Sequence, residues 1–393
     1  MQSQYDVVIL GGGCSGLSLA VRLAELGQCS PRTLIVEQRT VYTNDRTWCF
    51  WDDGEARHQS LIEHRWSTMT VRSNAGQTTI DCGDSPYQMI SAEAFYRESI
   101  ASISRCPAID LQHSTSLTRE ATKVGSQWRI ETTAGTCLTK TVIDTRPNGH
   151  PTPGGATLWQ SFSGQEIECD AALFDPGTIT LMDFSPVDRS RILFTYVLPI
   201  STHRALVEVT QFGPDPLPSD ALSKDLDISI SRRLQGASYT TLRAEAGILP
   251  MGLRTPFPPA ERNYVPAERN YIKVGLTAGA ARPCTGYAFQ RIQRWADSCS
   301  KRLGEGRSAI GHPADPPLLR AMDHLFLSVL RAHPEMAPDI FLSLFANTRS
   351  DRMIRFLSGR GRLADYCNVI AALPILPFLQ QVPKALLWQE SWR

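Results

Sequence analysis

The chain has 393 residues, 42% of them hydrophobic and 20% charged, with a formal net charge of +1. That length suits two or three domains with a sizeable core, and the composition is that of a globular enzyme, not a disordered or fibrous chain. A near-zero charge without a basic block excludes bulk attraction to nucleic acid; ten cysteines without a C-x-x-C pair indicate neither a zinc site nor a disulfide framework; and no run of about eighteen apolar residues predicts a membrane span.

The chain starts almost at its first strand, which leaves no room for a signal peptide and leads us to expect a reduced protein on the cytoplasmic side. Val7-Val8-Ile9-Leu10 is an uncharged apolar run, the pattern of a buried parallel strand. Gly11-Gly12-Gly13-Cys14-Ser15-Gly16 follows and fits G-x-G-x-x-G, and Leu17, Leu19, Ala20, Leu23 and Ala24 then recur at helical spacing until Gly27. Thr33-Leu34-Ile35-Val36 reads as the next strand, and Glu37 at its end stands about twenty residues past the last motif glycine. Such a unit binds a dinucleotide: Gly11, Gly13 and Gly16 allow the tight turn and the approach of the pyrophosphate, and Glu37 takes ribose hydroxyls.

Thr47-Trp48-Cys49-Phe50-Trp51, flanked by Asp45 and Arg46, either lines a cavity, with Arg46 reaching the cofactor, or packs under a loop. Trp66 to Ile80 alternates like sheet, and Ser91 caps a helix running to Ile103. Thr122-Lys123-Val124 reads as a strand edge beside the adenine, and Trp128–Ile130 with Leu138–Asp144 as a hairpin around Gly135. The prolines and glycines of 147–155 end the first segment of the head. Leu158–Phe162, Thr178–Phe184, Ile192–Leu198 and Ala205–Phe212 predict an antiparallel second domain, before the head returns at Tyr271–Leu276. The expected division is 1–150, first segment of the head; 151–270, β-rich substrate domain; 271–310, returning head; and 311–393, helical. Pro259–Tyr264 recurs as Pro266–Tyr271, a local loop duplication. Val369–Leu379, broken at Pro374 and Pro377, is either a buried helix with its exit or a surface that dips into lipid to collect an apolar substrate.

Three stretches carry chemistry beyond the first turn. Val274 to Tyr287 runs from a strand through Gly279, Pro283, Thr285, Gly286 and Tyr287, a second glycine turn that lets backbone approach a flat ring. Taken with the N-terminal fingerprint it points to a flavin rather than a free nicotinamide; the alternative is a structural strand-to-helix turn. Glu208 stands in the apolar strand Leu206-Val207-Glu208-Val209-Thr210. It faces either solvent or an apolar cavity, where desolvation would raise its pKa and leave a proton available near neutral pH. Glu245 to Gly252 suits a cavity wall.

These motifs, with Gln160-Ser161-Phe162-Ser163-Gly164, Thr180–Phe184, Pro283–Phe289, Met322–Leu327 and Arg355–Gly359, resemble the bacterial flavin-dependent lycopene β-cyclases over nearly the full chain. The resemblance implies an α/β fold: a Rossmann-type FAD-binding head with a parallel sheet, an antiparallel β-rich substrate domain and a helical C-terminal region. It implies redox-neutral closure of lycopene ψ-end groups to β-rings, with Glu208 as the acid, reduced FAD beside the cation and NAD(P)H as reductant. An apolar carotenoid partner, peripheral membrane contact and a place on the inner face of the cell membrane follow as expectations. The duplicated loop, and Cys284 where Ser or Ala is expected, depart from the pattern. A monooxygenase or prenyl reductase on the same fold is the alternative, and a carotenoid-binding subunit a third reading.

Overall fold

A computed structural model describes residues 3–147, 150–185, 188–253 and 270–390. Ser3–Leu10 (β1), Cys14–Ala24 (α1) and Thr33–Val36 (β2) form the expected strand–helix–strand unit. Thr47–Trp51 (β3), His64–Trp66 (β4) and Tyr87–Ser91 (β7) make a small sheet, while Thr68–Ser73 (β5) and Gly76–Asp81 (β6) form a hairpin between them. Ala92–Ser104 (α2) begins where the Ser91 hydroxyl accepts the Ala94 N–H at 3.2 Å. Ile109–Gln112 (β8), Thr122–Val124 (β9), Gln127–Thr132 (β10) and Gly135–Asp144 (β11) complete the first segment.

The second sheet takes Ala156–Cys169 (β12), Thr178–Asp183 (β13), Ile192–Pro199 (β14), Arg204–Gly213 (β15) and Tyr239–Leu253 (β16), in the order β16-β12-β15-β14-β13-β5-β6. Helix Ser223–Leu234 (α3) seals its outer face, laying Leu226, Ile230 and Leu234 on Val197, Val207 and Val209. The chain then returns to the head as Tyr271–Lys273 (β17), parallel to the end of β11, whose first half pairs antiparallel with β10. The head sheet therefore reads β8-β2-β1-β11-β17, with the β9-β10 meander on β11. Val8, Ile9 and Leu10 are fully buried because α1 covers one face and the meander the other.

Phe289–Gly304 (α4) packs on α1, with Arg22 paired to Asp297 at 2.7 Å. Pro317–Ala332 (α5), Ala337–Asn347 (α6), Ser350–Leu357 (α7), Leu363–Ala371 (α8) and Ile375–Glu390 (α9) follow. They close over the inner face of the second sheet, where Phe341 stacks on Phe184 at 5.8 Å.

Residues 1–150 are not all head. Alternation marked 66–80 as strand, but β5 pairs with β13, so Thr68–Asp81 belongs to the second sheet. That pairing is parallel, so the second sheet is not wholly antiparallel. Partner choice depends on contacts distant in sequence, which alternation does not encode. The cavity wall expected at Glu245–Gly252 is part of a 15-residue strand, and α3 had no counterpart in the sequence reading. The duplication at 259–271 lies outside the described residues up to 269.

Candidate functional site

Two of the three motif glycines at the first turn are fixed by sterics within the chain, and the third leaves room. Gly11 has φ +98°, and a Cβ there would stand 2.6 Å from the Thr145 hydroxyl. A Cβ at Gly16 would overlap the Gly11 carbonyl oxygen, so Gly16 serves helix-on-turn packing behind the cavity. A Cβ at Gly13 would meet nothing within 4 Å, which leaves open space against the start of α1. Glu37 ends β2 buried; it accepts the Gly12 N–H at 2.6 Å and the Arg39 N–H at 2.8 Å. Burial works to raise its pKa, but Arg39 and these N–H groups outweigh it and hold the carboxyl below its ordinary value.

A second turn faces the first. Gly275 has φ +98° and gives its N–H to His312 Nε2 at 3.1 Å; burial lowers the His312 pKa to about 4, so the ring is a neutral acceptor. Gly286 has φ +72°, and a Cβ there would lie 2.8 Å from Gln160 Oε1, a buried oxygen without a hydrogen-bond partner. Between the turns the cavity is open, lined by the Thr285–Tyr287 turn and by an unused acceptor. These features fit a dinucleotide that carries a planar ring.

One cavity of ≈1670 Å³ joins this cradle to the inner face of the second sheet. Gly11, Gly13, Glu37, Arg46, Thr285, Gly286, Tyr287 and Glu208 all line it. Gly16, Gly279 and Pro283 are not in its lining; the Gly279 carbonyl instead accepts from Arg291 at 3.3 Å. Val124 does not reach it: β9 is the outer strand of the meander, with Val124 40% exposed. Thr115, Ser116 and Leu117, after β8, occupy the wall expected of Val124. A short polar loop carries little sequence signal, which is why they were missed.

Deeper in, the sheet register assembles the chemistry. Glu208 on β15 sits opposite Tyr196 on β14 and Gly164 on β12, and Gly164 sits opposite Glu245 on β16. Residues paired directly across strands share a face, so both glutamates face the cavity with a glycine between them. The Glu208 carboxyl accepts the Thr210 hydroxyl at 2.7 Å. Its pKa is pushed up to about 8, first by burial and then by the charge of Glu245, against the Thr210 hydrogen bond. Glu245 accepts from Arg243 at 2.6 Å and from the Thr47 hydroxyl at 2.8 Å. The Tyr196 hydroxyl donates to Tyr87 at 3.2 Å, and Tyr87 meets Tyr287 at 3.3 Å; burial raises all three phenol pKa values, so they stay neutral. Gly164, Thr210 and Tyr196 were not predicted as site residues, because only the register puts them beside Glu208.

Phe194, Leu206, Phe212, Phe326 and Phe341 line the apolar part, which continues to Ile370, Leu373, Ile375 and Leu379. There α8 and α9 meet at a 109° bend and leave Ile375 67% and Leu376 72% exposed.

A glycine cradle on a parallel sheet, joined by one cavity to a β-sheet domain, defines the flavoprotein class of α/β folds. Among solved structures the chain is similar to a flavoprotein/dehydrogenase from Cytophaga hutchinsonii (TM-score 0.63, 12% identity, 100% of both chains covered). It is also similar to the flavin-dependent brominase Bmp2 (TM-score 0.61, 14% identity, 94% of this chain and 98% of that one). A third is a geranylgeranyl bacteriochlorophyll reductase-like protein from Thermoplasma acidophilum (TM-score 0.58, 13% identity, 97% and 99%). At such identities the likeness is one of fold. No curated protein matches the chain in sequence. The family model described as lycopene cyclase protein matches residues 6–382, and the chain belongs to that family.

Proposed function

We propose that the protein is a lycopene β-cyclase, closing the ψ-end groups of lycopene to β-rings by way of γ-carotene to β-carotene. The observation that carries this reading is the place of Glu208, a carboxyl buried in an apolar cavity that continues into a dinucleotide cradle, where burial raises its pKa. Protonating an alkene needs a neutral acid with no water to take the proton first. Glu208 supplies the acid, Thr210 holds one carboxyl oxygen, and the aromatic walls exclude water. The proton passes from Glu208 to the terminal double bond, and the cation is attacked by the next double bond in the chain. A ring proton is then lost to the carboxylate that the first transfer left on Glu208, which restores the acid, so atoms and electrons balance with no net redox change.

The residues present suit FAD: Gly11 and Gly13 at the pyrophosphate, Glu37 at the ribose, and the Thr285–Tyr287 turn with Gln160 at the ring. When bound and reduced, with NAD(P)H as the electron source, it would supply an electron-rich surface beside the developing positive charge. Through their hydrogen bonds the three tyrosine hydroxyls hold their rings in place in the cavity wall without offering an anion.

An apolar C40 chain reaches such a cavity from lipid. The exposed apolar bend between α8 and α9 suits contact with the inner face of the cell membrane. Expression in a lycopene-accumulating host tests the whole reading. β-Rings should appear in the extracted pigments, and Glu208→Gln, with flavin still bound, should lower their formation by about a hundredfold or more. Stoichiometric consumption of nicotinamide with turnover would instead favour a redox enzyme on the same fold.

A further inference from the structure

The inner face of the second sheet carries a ladder of four charges beside Glu208. Arg204 pairs with Glu166, Glu166 with Arg243 at 2.6 Å, and Arg243 with Glu245 at 2.6 Å. Arg243 and Glu245 are also both hydrogen-bonded to the Thr47 hydroxyl, at 2.6 and 2.8 Å, which ties the ladder to β3 on the head side. The four charges sum to zero. The rung nearest Glu208 is the negative one, because Glu245 and Glu208 share a row with only Gly164 between them. Two strand spacings place their backbones roughly 10 Å apart, close enough for charges in a dry interior to act on each other.

We infer that Glu245 is a positioning residue for the reaction: held across Gly164 by Arg243 and Thr47, its carboxylate keeps the transferable proton on Glu208. This rests on the reading of Glu208 as the acid, and it assigns a role to a residue pair that the proton transfer itself does not use.

The other titratable groups around Glu208 do not supply that field. Cys49 on β3, Tyr87 on β7, Tyr196 on β14 and Tyr287 after the second turn are all raised by burial and stay uncharged. In the helical layer Asp323 is paired with Arg282 at 3.0 Å, and at the cradle end Arg46 lies 3.7 Å from Asp45. The balance of the ladder has a consequence. Glu245→Gln removes a negative charge and leaves Arg243 in surplus, so positive charge then faces Glu208 and favours loss of its proton. Arg243→Gln does the reverse and leaves Glu245 uncompensated.

The test is the pH profile of kcat for the reduced holoenzyme on lycopene in lipid vesicles. Activity needs the protonated acid, so the rate falls as pH rises through the Glu208 transition. Glu245→Gln should move that alkaline limb down, and Arg243→Gln should move it up, each on the order of one pH unit. A solely structural role would lower the rate of both variants without moving the limb in opposite directions. Either variant, purified with bound flavin and showing the wild-type limb, overturns the inference, and because the two act in opposite directions each suffices if the other does not fold. Should Glu208→Gln remain active, the underlying assignment of the acid fails instead.

Discussion

A glutamic acid that keeps its proton near pH 8 weakens the fold that holds it. Below the unfolded value of 4.5 the group is protonated in both states and costs nothing. As pH rises from there to about 8, the unfolded chain releases the proton while the folded protein retains it, so stability declines and then levels off. Glu208→Gln removes that slope. The variant should match the wild type near pH 4 to 5 and exceed it by about 2–4 kcal/mol above pH 8, visible as a melting-temperature difference that widens with pH. A constant difference would place Glu208 among ordinary solvated acids. Thr210 works at the same scale: its hydroxyl favours the charged carboxylate, so Thr210→Val should move the alkaline limb of the rate profile upward.

Among the elements, the β1–α1 turn and the α8–α9 bend matter most for function. At the turn, a methyl group on Gly16 would overlap the Gly11 carbonyl and crowd Ile9 Cγ2 at 3.2 Å, and that carbonyl is pinned by the Thr145 hydroxyl at 3.0 Å. Gly16→Ala should therefore cost about 3 kcal/mol and release flavin, measurable as lost 450 nm absorbance in the purified protein. At the bend, exposed Leu376 adjoins cavity-lining Ile375, Phe378 and Leu379. Leu376→Asp should weaken co-flotation with vesicles and slow conversion of vesicle-borne lycopene at least tenfold, while leaving flavin content and melting temperature as in the wild type. Unchanged flotation would separate this face from the membrane.

On the scale of the molecule, two sheets and a helical layer close around one cavity, and how much of that could be read in advance depends on the range of the forces involved. The first turn was legible, because Gly11 takes a positive φ and Gly16 has no room for a Cβ against the Gly11 carbonyl, limits set between close neighbours. Glu208 was conspicuous as a charge within an apolar strand, but the strand left open whether it faces solvent or a cavity. Val124 falls outside the cavity although its strand and the Trp128–Asp144 hairpin were both legible, because pairing on the outer edge of that hairpin is a long-range choice. Thr68–Asp81 went to the wrong sheet for the same reason: alternation announces a strand and is silent about its partner.

The chain order of residues by itself determined the dinucleotide turn, the run of strands and the presence of an acid, since each follows from backbone sterics and burial over short stretches. Whether that acid met water or an apolar cavity was decided only by tertiary structure. Register across β14, β15, β12 and β16 set Tyr196, Glu208, Gly164 and Glu245 in one row, and the helices closed over them. Desolvation and the field of a neighbouring charge act through space, so they come into being only once distant segments have packed.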